Sequence, residues 1–300
     1  MGIVGMSEGN GHPYSWSAII NGYDRSIMAE CPFPAIPAYL AERRFPEDQL
    51  AEAMVTHIWT QDPALSQHIA RATHIPRVVT ELDEMLGQID ALLLARDDAE
   101  NHRRHAESFL RAGLPVYLDK PPALSLHALE ELYSLARNRG QIFSCSALRY
   151  AEELRLTPEE AIAAGELRSV HGVTPKLWDR YSPHIIDPAI TFLRPGRVAE
   201  SHVTADGNAV TLTAHWESGL RGIFEATGRA EGEIALTYLG AAASIKKVFR
   251  DSFSAFRSAL RAFLDGVRSG GSPIHYEHIH DLVDLIERGC TVGNGRAAGL

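Results

Sequence analysis

The chain has 300 residues, 45% of them apolar, which is enough for one large domain or two ordinary ones. Its 29 basic and 38 acidic residues leave a formal charge of -9 with histidine neutral, a balance that argues against nucleic acid as a partner. Cys31, Cys145 and Cys290 are odd in number and far apart, so they form no disulfide framework or Cys-x-x-Cys metal pair, and no apolar run approaches the roughly 18 residues of a membrane helix. With no basic leader before Gly2-Ile3-Val4, the expectation is a cytoplasmic protein with neither membrane nor nucleic-acid partners.

The first 120 residues alternate short apolar runs with amphipathic stretches, the pattern of a parallel sheet covered by helices. Strands are expected at 2–4, 54–59, 91–95 and 116–118, with a helix from His102 to Ala112 stopped by Gly113 and Pro115. A long insertion, Asn21 to Glu52, carries a helix over Ile36 to Arg44. The turn after the first strand reads Gly5-Met6-Ser7-Glu8-Gly9-Asn10-Gly11-His12-Pro13. Strand, glycine-rich turn and helix in that order are where a dinucleotide fold binds a pyrophosphate, through bare backbone amides and the positive end of the helix. Ser7 and Asn10 replace the second and third glycines of G-x-G-x-x-G. At the end of the second strand, Thr60 occupies the position of the ribose-binding acid, with Asp62 two residues later. NAD is the expected cofactor, and NADP remains open.

Lys120-Pro121-Pro122 interrupts the pattern, since two prolines can neither continue a sheet ladder nor lie deep in a helix. The expected division is therefore 1–122 for a doubly wound, parallel-sheet Rossmann domain and 123–300 for an α+β domain with a large, mainly antiparallel open sheet. Ser125 caps a helix bearing Leu126, Leu129, Leu132 and Leu135, and 141–146 is a further strand. Strands then follow at 168–176, 197–205, 210–216, 221–227 and 233–238, with Val210, Leu212, Ala214 and Trp216 on one face. Covering helices are expected around Phe253 to Val267 and Ile279 to Ile286, and a loose tail after Cys290. His275, His278 and His280 read as a solvated helix entry, and no metal is expected.

The run from Ile89 to Tyr150, IDALLLARDDAENHRRHAESFLRAGLPVYLDKPPALSLHALEELYSLARNRGQIFSCSALRY, strongly resembles the Gfo/Idh/MocA oxidoreductases. Asp119-Lys120-Pro121 stands where that family has Glu-Lys-Pro, and His102 has the spacing of its loop histidine. The family's Asp-x-x-x-His-x-x-Asp helix is matched at His184 and Asp187, with Arg180 in place of the upstream acid. The turn Arg96-Asp97-Asp98 is one residue longer than usual.

The resemblance implies hydride transfer between a nicotinamide and the secondary alcohol or ketone of a sugar, polyol or derivative. Lys120 and His184 are then the catalytic pair. Lysine suits the task because an ammonium can orient a hydroxyl and release its proton, whereas a guanidinium cannot; of the 29 basic residues 25 are arginine, so Lys120 stands out. Histidine ionises near neutrality and suits an acid or base. Substrate contacts fall to Asp187, Arg180, Tyr181, Trp178 and Lys176. Cofactor contacts fall to Gly5, Ser7, Gly9, Asn10, Gly11, His12, Thr60, Asp62, Arg96, Asp97, His102, Asp119, Lys120 and Pro121, with a cis peptide before Pro121. A homodimer or homotetramer is implied through the second domain's sheet. The alternative is a nucleotide-binding sensor that keeps the fold without turnover.

Overall fold

Strands buried on both faces need continuous apolar side chains, and Gly2–Val4 (β1), Leu92–Leu94 (β4) and Val116–Leu118 (β5) supply them. The computed structural model, which describes residues 1–297, adds His57–Trp59 (β2), Arg77–Val78 (β3) and Ile142–Ser144 (β6) to the same parallel sheet. Its order, β3-β2-β1-β4-β5-β6, is that of a dinucleotide fold, with the topological switch point between β1 and β4. The short exposed β3 has no apolar signature, and the sequence reading omits it.

Helices His12–Asn21 (α1), Pro63–Ala72 (α4) and His102–Ala112 (α5) connect these strands. Within the insertion lie Arg25–Met28 (α2) and Ala35–Ala41 (α3), the latter shorter than the helix expected over 36–44. Leu126–Tyr133 (α6) leads to β6.

The chain forms two compact units, and the division differs from a single cut at 122. Unit 1 comprises Met1–Ala123, His127–Ser144 and Ser252–Tyr276. Two features bring the later segments back. β6 pairs with β5, and helix Ser252–Ser269 (α10) sets Phe263 against Tyr117 and Phe143 at ring separations of 5.5 and 5.6 Å. α10, expected over the antiparallel sheet, instead belongs to the parallel-sheet unit.

Unit 2 contains Pro158–Ala164 (α7), Leu167–Thr174 (β7), Trp178–Tyr181 (α8), Pro183–Leu193 (α9), Val198–Asp206 (β8), Ala209–Trp216 (β9), Arg221–Ala226 (β10), Ala235–Gly240 (β11) and Ser244–Val248 (β12). Its sheet runs β12-β11-β7-β10-β9-β8, antiparallel except where β10 pairs with β7. Alternation in β9 holds as expected, with Val210, Leu212, Ala214 and Trp216 buried. α9 packs on this sheet at Gly172, where a Cβ would stand 2.9 Å from Ile185, so the helix can approach only over glycine. The final helix, Tyr276–Ala297 (α11), buries Ile279, Leu282, Val283 and Ile286. It continues seven residues past Cys290, contrary to the expected loose tail, and 298–300 lie outside the described residues. Among the described residues no helix is long and apolar enough to cross a membrane.

Candidate functional site

In unit 1 the loops after β1, β4 and β5 gather the charged cluster. Asp119 is 2% exposed. One carboxylate oxygen takes the Lys120 backbone N–H at 2.8 Å, and the other meets the Asn10 amide at 2.8 Å and His12 Nδ1 at 2.5 Å. Burial alone would push Asp119 up; the His12 contact, then Lys120 and Asn10, more than reverse this and hold it well below the usual carboxylate range. Lys120, 5% exposed, places its ammonium 3.6 Å from Asp97, whose other oxygen accepts the Ser7 hydroxyl at 2.6 Å. The Lys120–Pro121 peptide is cis. Ser7, Asn10, His12, Asp97, Asp119 and Lys120 thus converge as the sequence reading requires.

Other expected cofactor contacts are committed within the fold. Arg96 pairs bidentately with Asp98 at 2.9 and 2.6 Å and also reaches Gln61 at 3.1 Å. Burial opposes ionisation of Asp98, but its bonds from Arg96 and Asn101 outweigh it, and the carboxyl stays below its ordinary value. His102, 1% exposed, lies between the Arg96 carbonyl at 2.7 Å and the Pro122 carbonyl at 3.1 Å, so it ties the two loops together. Thr60 is buried and bonds Ser66 and the Asp62 carbonyl, while Asp62 caps α4 through the Ala64 N–H at 2.8 Å. Thr60 is therefore spent within the fold, whereas Asp62 is exposed and makes its cap through Oδ1 alone. Gln61, absent from the expected set, bonds both the N–H and the carbonyl of Met6; a lone glutamine after a strand carries no sequence signal.

The loop itself tests the fit of a dinucleotide. Gly9, with φ +78, is exposed and has nothing within 4 Å of a built Cβ, leaving the tip of the turn open to a phosphate. The first turn of α1 offers less. The His12 N–H bonds the Asn10 side chain at 2.8 Å, Pro13 has none, and the Tyr14 N–H bonds Gly11. The space beside Gly11 is filled by Phe33 and Ile36 of the insertion. The residues therefore fit a nucleotide at the switch point through the open backbone around Gly9, without a helix-terminal cradle.

In unit 2, Asp187 is fully buried and saturated. It accepts the Ser146 N–H at 2.7 Å, Arg149 at 3.2 Å, Thr191 at 3.2 Å and His278 Nε2 at 2.8 Å. Burial would raise this carboxyl, but Arg149 and then His278 hold it below its usual range. Asp187 is thus a buried anchor, in place of the expected substrate contact or direct support for the His184 ring. The link to His184 passes through Ser146, whose hydroxyl lies 2.9 Å from Nδ1. Sequence reasoning missed Ser146 and Arg149 and set His278 aside as a solvated helix residue, because only folding brings 146, 149, 187 and 278 together.

Trp178, a candidate substrate contact, is a core residue with its indole N–H donated to the Ile286 carbonyl at 2.9 Å. Lys176, Tyr181 and His184 do come together. The Lys176 ammonium bonds the Tyr181 hydroxyl at 2.5 Å, and the Tyr181 and His184 rings meet edge-to-face at 5.3 Å. Arg180 is half-buried beside them in the chain.

Residues 36–146 match the model of the oxidoreductase family with an NAD-binding Rossmann fold. Over this segment the chain is similar to the Gfo/Idh/MocA oxidoreductases. An uncharacterized oxidoreductase, YhhX, of Escherichia coli K12 is 28% identical over 130 residues, which span 43% of this chain and 37% of that protein. The chain thus matches little more than a third of that relative's length. The fold of the whole chain is that of several solved dehydrogenases. Myo-inositol 2-dehydrogenase of Lactobacillus plantarum is 13% identical with a TM-score of 0.72, covering 98% of this chain and 97% of that one. Levoglucosan dehydrogenase, solved with NADH and levoglucosan, is 14% identical with a TM-score of 0.69, covering 98% and 96%.

Proposed function

We propose that the chain is an NAD(P)-dependent oxidoreductase acting on the secondary alcohol or ketone of a sugar, polyol or sugar derivative. NAD is the cofactor of this reading, with NADP left open because Asp62 lies two residues after the position of the ribose-binding acid and no arginine follows it at once. The buried Lys120 carries the proposal. Keeping an ammonium 5% exposed costs solvation, and Asp97 at 3.6 Å and the neighbouring Asp119 hold its charge inside the fold, where a purely structural role would be met as well by an apolar side chain.

In the oxidation direction the carbinol C–H electron pair leaves as hydride and the hydroxyl proton leaves separately. A nicotinamide held at the switch point would supply the hydride acceptor. Lys120 hydrogen-bonds the substrate oxygen and stabilises its developing negative charge; His184 takes the proton. The open backbone around Gly9 would hold the cofactor's phosphates. Arg180, Tyr181 and Lys176 supply substrate contacts, Arg180 favouring an acidic group by bidentate pairing. The protein works in the cytoplasm as a homodimer or homotetramer. Turnover of a sugar and polyol panel should be abolished in both Lys120→Ala and Lys120→Arg while nucleotide affinity stays near wild type. Wild-type turnover in both variants sinks the assignment.

A sensor without turnover is the second reading. It is favoured by the closure of the loop on itself, with Asn10 and His12 spent on Asp119 and the Gly11 face filled by Phe33 and Ile36. Saturable NAD binding by the purified protein, with no cofactor reduction across the panel, would support it.

A further inference from the structure

A cavity of about 530 Å³ opens in unit 2 between the end of α9, the start of α11 and the sheet. Its size lies within the ~300–1,000 Å³ range of small-molecule sites. Arg194, Arg197, Arg288, His278 and His280 line it, and Ile190, Trp216 and Leu285 give it an apolar floor.

Of the two acids on its wall, Asp284 is ion-paired and Asp281 is exposed to solvent. Asp284 bonds Arg288 at 3.0 Å, and Arg288 also donates to Ser201 at 2.7 Å; Asp281 lies 3.5 Å from His280. Among the described residues, the guanidinium groups of Arg194 and Arg197 have no side-chain partner. Both are exposed, so an anion entering the cavity meets them without displacing an existing side-chain partner.

The backbone adds a separate observation. Arg194 closes α9 in the left-handed conformation, φ +46, where helices usually place glycine or asparagine. An arginine there accepts a cost of about 1 kcal/mol that glycine would avoid. Strain retained at such a position points to a use for the side chain.

We propose that this cavity is a binding site for a small oxyanion, a phosphomonoester or carboxylate carried on a sugar-sized skeleton, held by Arg194 and Arg197. Guanidinium forks match both anions bidentately, and the floor of Ile190, Trp216 and Leu285 accepts the carbon skeleton. His278 lines the same cavity and bonds Asp187, which holds Ser146 and, through its hydroxyl, His184. An occupant therefore abuts the hydrogen-bonded network behind His184. The site stands apart from the redox reading, because its residues and its test involve neither nucleotide nor turnover.

Calorimetric titration at low, matched ionic strength tests it with inorganic phosphate, glucose 6-phosphate and malonate. The wild-type protein should bind at least one probe saturably. The double variant Arg194→Gly/Arg197→Ala should bind that probe at least tenfold more weakly. Glycine keeps the left-handed backbone available, so folding is preserved, and circular dichroism verifies it. Arg229→Ala, which removes an exposed arginine that does not line the cavity, should leave affinity unchanged. Preference for glucose 6-phosphate identifies the phosphomonoester, and preference for malonate the carboxylate. Equal affinity in wild type and double variant, or no saturable binding of any probe by the wild type, overturns the proposal.

Discussion

Asp187 accepts the backbone N–H of Ser146 at 2.7 Å, and the hydroxyl of that same serine lies 2.9 Å from the His184 ring. One buried carboxylate thereby anchors the residue that sets the histidine, while its second oxygen is held by Arg149, Thr191 and His278. Asp187→Asn keeps the shape and removes the charge, leaving Arg149 and His278 without their anion. A loss of about 3 kcal/mol in urea unfolding is expected, as for a buried pair deprived of one partner. A loss below about 0.5 kcal/mol would show that the network is not held by charge.

Acid should act in two windows. Burial, then Arg96 and Arg104, lower His105 to about 4. Between pH ~6.5 and ~4 the unfolded chain binds a proton that the folded one refuses, so stability falls on acidification. The shift sets an upper value of about 3 kcal/mol. His105→Phe, which keeps a ring near Trp59, should flatten that part of the stability–pH curve. Asp119 and Asp187 have lowered folded values, so their stabilisation is full above about pH 4 and is lost as the pH falls further. Urea midpoints from pH 8 to 3 separate the windows, and identical curves for wild type and His105→Phe would refute the first.

Gly11→Ala should disturb the insertion before anything else. A Cβ at 11 stands 2.5 Å from the Ile36 side chain and 2.7 Å from that of Phe33. Overpacking of this kind costs about 1–3 kcal/mol. Thermal unfolding should register it, together with faster proteolytic cleavage within 21–52; unchanged values for both would mean that the contact yields freely.

Gly9→Val tests the nucleotide loop. A β-branched residue at φ +78 is strained, and its side chain occupies the open tip. NAD affinity measured by nucleotide fluorescence should fall at least tenfold, with a drop of only a few degrees in melting temperature from the backbone strain, because nothing packs against Gly9. Undiminished affinity would remove this loop from the phosphate site.

Local signals made much of this fold legible. Continuous apolar runs marked β1, β4 and β5, helical spacing with a glycine stop matched α5 at both ends, and period-2 alternation revealed β9. The short strands β3 and β12 escaped, since few residues in each carry a periodic pattern. Lys120 and His184 stood out because residue type and family spacing agreed. Trp178 misled: an aromatic residue beside a suspected site has the same sequence signature whether it faces a ligand or the Ile286 carbonyl.

By itself the sequence determined the two sheets, the charged turn at 119–120 and the family resemblance, because each depends on neighbours within about one element. Partners distant in sequence were decided by tertiary structure alone. It returned β6 and α10 to the parallel-sheet unit, spent Arg96 on Asp98 and Thr60 on Ser66, and saturated Asp187. It also lined one cavity with Arg194, Arg197 and Arg288. A buried polar group must find its hydrogen-bond partner wherever the packed chain provides one, and sequence separation places no limit on where that is.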